Sequence, residues 1–294
     1  MNDDAAPADQ LALSFADGSA TELTIVRADD PSAPVVLCLP AMGVRSSYYE
    51  VLADVLAESG FHAVLADLRG GGESSVRASR RVSFGYAEIL ELELPHIVDS
   101  ICAMFDREKV IVLGHSLGGQ MGLLFAATSD RVSHTIAVAS GSAWYRPMPG
   151  ARSISRFLGL QLIFATTALW GHLPKWFPFA GTEARGIVID WGYEAMTGRY
   201  RVARGSTDYE AALAQSTTPA LFVTFPRDSY VPEGCAQHLI AKLGSAAVER
   251  VEIPPERFGF KETHHFRWVV RPQAVVDSLT QWLAKEYQEG SREA

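Results

Sequence analysis

The sequence predicts an α/β fold: a mostly parallel, doubly wound sheet interrupted once by an inserted helical segment. Three observations predict it. Short continuous apolar runs alternate with helix-length segments along the chain, the rhythm of strands buried on both faces and joined by crossover helices. One of these runs, Val110 to Leu113, passes through a glycine-containing turn straight into a helix. The rhythm then breaks between Gly141 and about Gln215, where Pro147, Pro149, Pro174 and Pro178 punctuate short apolar stretches.

Taken in order, Leu11 to Phe15 and Glu22 to Val26 flank Ala16-Asp17-Gly18-Ser19, a turn whose glycine supplies positive φ, so the chain should open on a β-hairpin. Val35 to Leu39 is apolar throughout and stops at Pro40, as a parallel strand buried on both faces would. Ser46 or Ser47 is placed to cap a helix reaching Ser59. A strand follows at His62 to Ala66, then the loop Asp67 to Glu73, a helix near Tyr86 to Phe105, and the strand Val110 to Leu113. A helix from Ser116 and a strand at Thr135 to Ala139 continue the doubly wound pattern. Later strands are expected at Ala220 to Phe225 and Val248 to Ile253, and a last helix near Pro272, since proline suits a first helical turn. The resulting organisation is a core of residues 1–140 and 216–294 with residues 141–215 inserted as a helical lid, for which a small satellite core is the alternative reading.

Composition narrows the classes of function. Hydrophobic residues make up 48% of the 294 and charged residues 20%, an ordinary globular balance. With 26 Lys+Arg against 34 Asp+Glu, the net charge of −8 opposes polyanions, so nucleic acid is not an expected partner. Three widely spaced cysteines, Cys38, Cys102 and Cys235, form no zinc or dithiol motif and suit a reducing compartment. The start of the chain is acidic and polar, unlike a secretory signal, which points to the cytoplasm. Phe157 to Trp170 falls short of the ~20 apolar residues of a membrane span, and reads as a buried or interfacial helix. Residues 144–200 hold 11 of the chain's 29 aromatics, more than their share by length. A lid of that composition would favour apolar substrates.

Chemistry concentrates in Gly114-His115-Ser116-Leu117-Gly118-Gly119-Gln120, a G-x-S-x-G element between a buried strand and a helix. A serine on so tight a turn presents Oγ outward, and small residues at 114 and 118 are needed where backbones approach closely. Its hydroxyl is a poor nucleophile until a base removes the proton. Of eight histidines, His62, His96, His134 and His238 fall inside predicted elements, His115 points away from the turn, and His172 lies in the insertion. That leaves His264 and His265, between the last strand and the last helix. The base in turn needs an acid to fix its tautomer. Asp228 follows the strand Ala220 to Phe225 at the carboxyl end of the sheet, with Asp190 and Asp208, in or beside the insertion, as weaker alternatives. Backbone N–H groups must hold the oxyanion, and Leu117 and Met42, the latter in the loop after Val35 to Leu39, are placed to supply them. Gly70-Gly71-Gly72 lacks dinucleotide-binding spacing, and Arg77, Arg80 and Arg81 lack interleaved aromatics, so both read as loop.

With these residues in view the chain resembles the α/β-hydrolase superfamily over nearly its whole length, especially its lid-bearing esterase, lipase-like and serine aminopeptidase-like members. Asp67-Leu68-Arg69-Gly70 with Ser74 looks like the D-x-R-G-x-G-x-S loop of those proteins, where the aspartate is structural, and Asp228 to Pro232 looks like their D-x-x-V-P acid loop. Gly141-Ser142-Ala143-Trp144-Tyr145 is similar to the lid entry of a group of bacterial hydrolases. The chain departs from the pattern at Pro40-Ala41, where many members have His-Gly, and at His264, where glycine is common. The resemblance favours His265, followed by a large apolar residue, as the base over His264. It implies carboxylic-ester hydrolysis through an acyl-enzyme on Ser116, without metal or organic cofactor, on a small-molecule ester or other acyl substrate. Thioester, peptide or acyl-transfer chemistry on the same residues is the alternative within enzymes, and ligand binding without turnover the alternative outside them.

Overall fold

The computed structural model describes residues 8–262 and 265–293. In chain order the elements are strands β1 (Asp9–Ser14), β2 (Ala20–Val26) and β3 (Val35–Leu39), helix α1 (Glu50–Glu58), β4 (His62–Leu65), α2 (Leu94–Phe105), β5 (Val110–His115), α3 (Leu117–Ala126) and β6 (Val132–Val138). Then come α4 (Ala151–Trp170), the short strands β7 (His172–Leu173) and β8 (Glu183–Ala184), α5 (Arg185–Thr197) and α6 (Tyr209–Gln215). The chain closes with β9 (Ala220–Thr224), α7 (Glu233–Ile240), β10 (Val248–Glu252) and α8 (Gln273–Glu293). Eight strands form one sheet in the order β1-β2-β4-β3-β5-β6-β9-β10, antiparallel through β1, β2 and β4 and parallel from β4 to β10.

The continuous apolar runs are explained by burial on both faces. In β3, Val35, Leu37 and Leu39 join a core with Leu94, Ile97 and Val98 of α2 and Met121 and Leu124 of α3. Val36 and Cys38, between them, point into the opposite core with Leu52 and Leu56 of α1 and Val275, Leu279 and Trp282 of α8. Each such side chain contributes ~1.5–3 kcal/mol when fully buried, so these central strands anchor everything built at their ends. From β3 the chain crosses to β4 on one side and later to β5 on the other, so the carboxyl ends of β3 and β5 make the crevice in which open α/β sheets bind ligands.

Two local expectations differ. Ser46 does not cap α1: its N–H and Oγ both bond to the carboxylate of Asp67, each at 2.8 Å, and a 3-10 turn over Ser46–Tyr49 leads into the helix instead. Asp67 also accepts the Glu73 N–H at 3.0 Å, so it ties two loops together, the structural role expected of it. The helix near Tyr86 opens with two α-helical residues and turns π-helical over Glu88–Glu93 before α2. The segment between β6 and β9 holds α4, the β7–β8 pair, α5 and α6. Helix α4 is interfacial: Leu160, Ile163 and Thr167 are buried while Leu158, Leu162 and Leu169 are exposed. Among the described residues no helix is long and apolar enough to cross a membrane.

Candidate active site

Ser116 sits between β5 and α3 with φ 53° and ψ −112°, a left-handed conformation that costs a non-glycine residue roughly 1–3 kcal/mol. Backbone bonds hold it there: its N–H donates to the Val138 carbonyl at 2.9 Å, and its carbonyl accepts from Gly119 and Gln120 at 3.1 and 3.2 Å. The turn is passable only for bare backbone. A Cβ on Gly114 would lie 2.3 Å from the Gly118 carbonyl group, and one on Gly118 would lie 2.3 Å from the Leu39 carbonyl oxygen. Ser116 is half-buried in an otherwise buried turn, and its residue lines a cavity of about 450 Å³.

Asp228 follows β9 through a turn in which Arg227 takes φ 59°. Its Oδ1 accepts the N–H groups of Tyr230 and Val231 at 2.8 and 3.1 Å, which leaves Oδ2 aimed at His265 Nδ1, 2.7 Å away. Both side chains are buried. A carboxylate can only accept, so Nδ1 carries the proton of this bond and Nε2 is the ring nitrogen left for other partners. The imidazole stacks on the Tyr230 ring, with centroids 4.8 Å apart, and Phe266 packs against its edge. The loop behind it is tied to the Tyr48 hydroxyl, which donates to the Phe266 carbonyl at 2.9 Å. Ser116 and His265 line the same cavity, as do Met42 and Leu117. His264, the alternative base, lies outside the described residues.

Two residues that the sequence did not single out organise the loop of Met42. The Ala41 N–H donates to the Tyr49 hydroxyl at 3.0 Å, and that hydroxyl lies 2.7 Å from His115 Nδ1. The tyrosine hydroxyl, already accepting from Ala41, thus links that backbone N–H to the His115 ring. Burial holds the His115 pKa well below its ordinary value, so the ring stays neutral. Its centroid is 4.9 Å from that of His265, and a chain of contacts thus runs from the loop after β3 to the candidate base. Nothing near Tyr49 in sequence marks it, because its partners lie 8 and 66 positions away.

The opposite wall comes from the segment between β6 and β9, through Phe179, Trp191 and Arg156. Gln120 pins its entry, with Nε2 donating to the Gly141 carbonyl at 2.8 Å and Oε1 accepting from the Tyr200 hydroxyl at 2.9 Å. Glu194, fully buried on α5, accepts from the Ser142 hydroxyl and from the Ala143 N–H. Burial raises its pKa to about 7. The alternative acids serve elsewhere. Asp190 accepts the N–H groups of Tyr86 and Ala203, and Asp208 caps α6 through the Ala211 N–H. Among the described residues no group of three or more His, Cys, Asp and Glu side chains is placed to hold a metal ion.

Residues 34–172 match the family model described as the alpha/beta hydrolase fold. The candidate carbamate hydrolase RutD of Serratia proteamaculans is 23% identical over 273 residues, which cover 87% of this chain and 98% of that protein. Its counterpart in Pseudomonas savastanoi pv. phaseolicola is 26% identical over 78% of this chain and 88% of that protein. Among solved structures, Est1E of Butyrivibrio proteoclasticus, determined with ferulic acid bound, superposes with a TM-score of 0.66 at 15% identity, covering 95% of this chain and 99% of that one. Sheet order, the family match over residues 34–172 and these similarities together give the chain the alpha/beta hydrolase fold, one it shares with hydrolases.

Proposed function

We propose that the protein is a serine hydrolase that cleaves carboxylic esters through an acyl-enzyme on Ser116. The observation that carries the reading is the pairing of a strained, half-buried serine with a histidine on the same cavity, whose Nδ1 is fixed by a buried aspartate at 2.7 Å. Ser116 Oγ attacks the acyl carbon while His265 Nε2 takes its proton. Asp228 holds the tautomer and stabilises the imidazolium, and the N–H groups of Met42 and Leu117 receive the oxyanion. The proton then passes from His265 to the leaving alcohol. A water molecule repeats the sequence in reverse, with His265 as its base, and the acid leaves Ser116 free.

Residues 141–215 act as a lid over this cavity, and the rings of Phe179 and Trp191 supply apolar wall for the acyl or alcohol group. Three free, buried cysteines suit the reducing cytoplasm. The RutD relatives are named for carbamates, in which nitrogen flanks the same acyl carbon, so carbamates belong with esters, thioesters and amides in the assay panel. Wild-type protein should be labelled by a fluorophosphonate and turn over esters fastest. Ser116→Ala should abolish labelling and lower kcat by about 10⁶, as in other serine triads. Ester turnover retained in that variant would refute the reading.

A further inference from the structure

Arg156 is a cation on the cavity wall without a matching anion among the described residues. It stands on α4 one turn beyond Arg152, whose guanidinium donates to the Ser229 carbonyl at 2.6 Å. Its own partners are poor: Nη1 meets Met148 Sδ at 3.0 Å and Cys235 Sγ at 4.0 Å, and Nη2 reaches the Tyr230 carbonyl only at 3.5 Å. Sulfur is a weak acceptor, and a guanidinium brings five N–H donors in a planar fork suited to a carboxylate. Among the described residues no carboxylate forms an ion pair with it.

The groups nearby do not neutralise it. Burial raises the Cys235 thiol pKa, so that group is uncharged at neutral pH. Glu194 acts on Arg156 only at longer range, and both its oxygens already accept from Ser142 and Ala143. Arg152 adds positive charge from the same helix face. Burial lowers the Arg156 pKa, the direction expected of a cation that has lost water without gaining a partner. The residue is only partly buried, so its unused N–H donors remain open to an anion entering the cavity.

We propose that Arg156 binds a carboxylate carried by the substrate, so that the enzyme acts on esters with an apolar body and one anionic end. The proposal rests on the acyl-transfer reading above and adds a substrate class to it. Phe179 and Trp191 line the cavity beside the body, and Arg156 takes the tip. A charge-assisted pair of this kind favours the charged substrate by about 10- to 100-fold in kcat/KM.

The test compares each charged ester with its neutral methyl-capped twin. One pair carries the carboxylate on the acyl side, mono-4-nitrophenyl glutarate against its methyl ester, and the other on the alcohol side, 4-carboxyphenyl butyrate against its methyl ester. Wild type should prefer the charged member of one pair by about 10-fold or more, and that pair identifies the side. Arg156→Met, a long side chain suited to the sulfur surroundings, should bring the ratio to about one, and Arg156→Lys should keep part of it. A wild-type ratio near one in both pairs, or a preference that survives Arg156→Met, overturns the proposal. Should Arg156→Met fail to fold, the wild-type ratio and its partial loss in Arg156→Lys decide. Should no ester turn over and no fluorophosphonate label appear, the serine-hydrolase reading fails on its own. Calorimetric titration with monomethyl glutarate then tests Arg156 directly: heat in wild type that Arg156→Lys weakens supports the site, and no heat in wild type overturns it.

Discussion

Around Ser116 backbone packs on backbone, with Gly118 seated against the Leu39 carbonyl and Gly114 against Gly118 itself. Across the cavity, side chains organise the segment between β6 and β9: the Gln120 amide bonds to the Gly141 carbonyl and the Tyr200 hydroxyl, the Glu194 carboxylate holds Ser142 and Ala143, and the indole of Trp191 lines the wall. The first region has no room to vary. The second leaves Leu158, Leu162 and Leu169 of α4 exposed by 57%, 62% and 66%, and carries the Arg156 guanidinium, which has no ion-pair partner among the described residues. The difference separates two tasks. Close-packed backbone holds the reacting atoms, and a side-chain surface beside it decides what may approach them.

The largest way to break this division is chemical. Asp228→Asn leaves the backbone of the turn intact, since an amide oxygen can still accept from Tyr230 and Val231, yet it presents an N–H donor to His265 Nδ1 or forces the other tautomer. We expect kcat to fall by up to about 10⁴ with the melting temperature little changed. The equivalent change at Asp190, which bonds only backbone N–H groups of Tyr86 and Ala203, should instead act on stability. A pattern reversed between the two variants, measured by steady-state kinetics and thermal unfolding, would move the acid to the inserted segment.

A mechanical test comes next. Gly118→Ala places a methyl 2.3 Å from the Leu39 oxygen and 2.6 Å from that of Pro40, both backbone atoms that no side-chain rotation can relieve. It should destabilise the protein by about 3 kcal/mol or more and displace the loop of Met42. Gly159→Ala on α4, whose methyl would meet nothing within 4 Å, should be neutral or slightly stabilising. Equal effects in denaturant unfolding would remove the contrast between the two regions.

How legible each region is in sequence follows from the same contrast. Strands buried on both faces are apolar at nearly every position, which is why Val35–Leu39 and the run opening β9, Ala220 to Val223, stand out without a structure in hand. The turn of Ser116 is legible because close backbone approach leaves only glycine possible at 114 and 118. Asp228 and the pair His264 and His265 could be picked out from their places after strands, the resemblance favoured His265, and Asp228 and His265 stand 2.7 Å apart. Tyr49, Glu194 and Arg156 could not. Each acts on partners 8 to 79 positions away, and no local pattern encodes such pairings. Ser46 misleads for the same reason: a serine before a helix suggests a cap, but a distant aspartate claims it.

The subtlest expected effect lies inside the inserted segment and concerns pH. Glu194 is fully buried, and desolvation raises its pKa from 4.5 to about 7 despite the two hydrogen bonds it accepts. The folded protein therefore holds a proton that the unfolded chain releases near pH 4.5. Stability follows the difference in bound protons, so it is greatest below about pH 4.5 for this group and declines as pH rises toward 7. The full decline is on the order of 3 kcal/mol from one end to the other. Glu93, raised to about 7 by burial against the pull of Arg69, adds a slope of the same sign from the core. Glu194→Gln isolates the inserted segment's share, because a neutral amide can accept from Ala143 and donate to Ser142 at every pH. The variant should lose its part of the slope between pH 5 and 7 while Ser142 and Ala143 keep their partners. Melting temperatures taken at half-unit steps across that range would show it. If wild type and Glu194→Gln ran parallel throughout, the carboxylate would be ionised in the folded protein already and would contribute nothing to the slope.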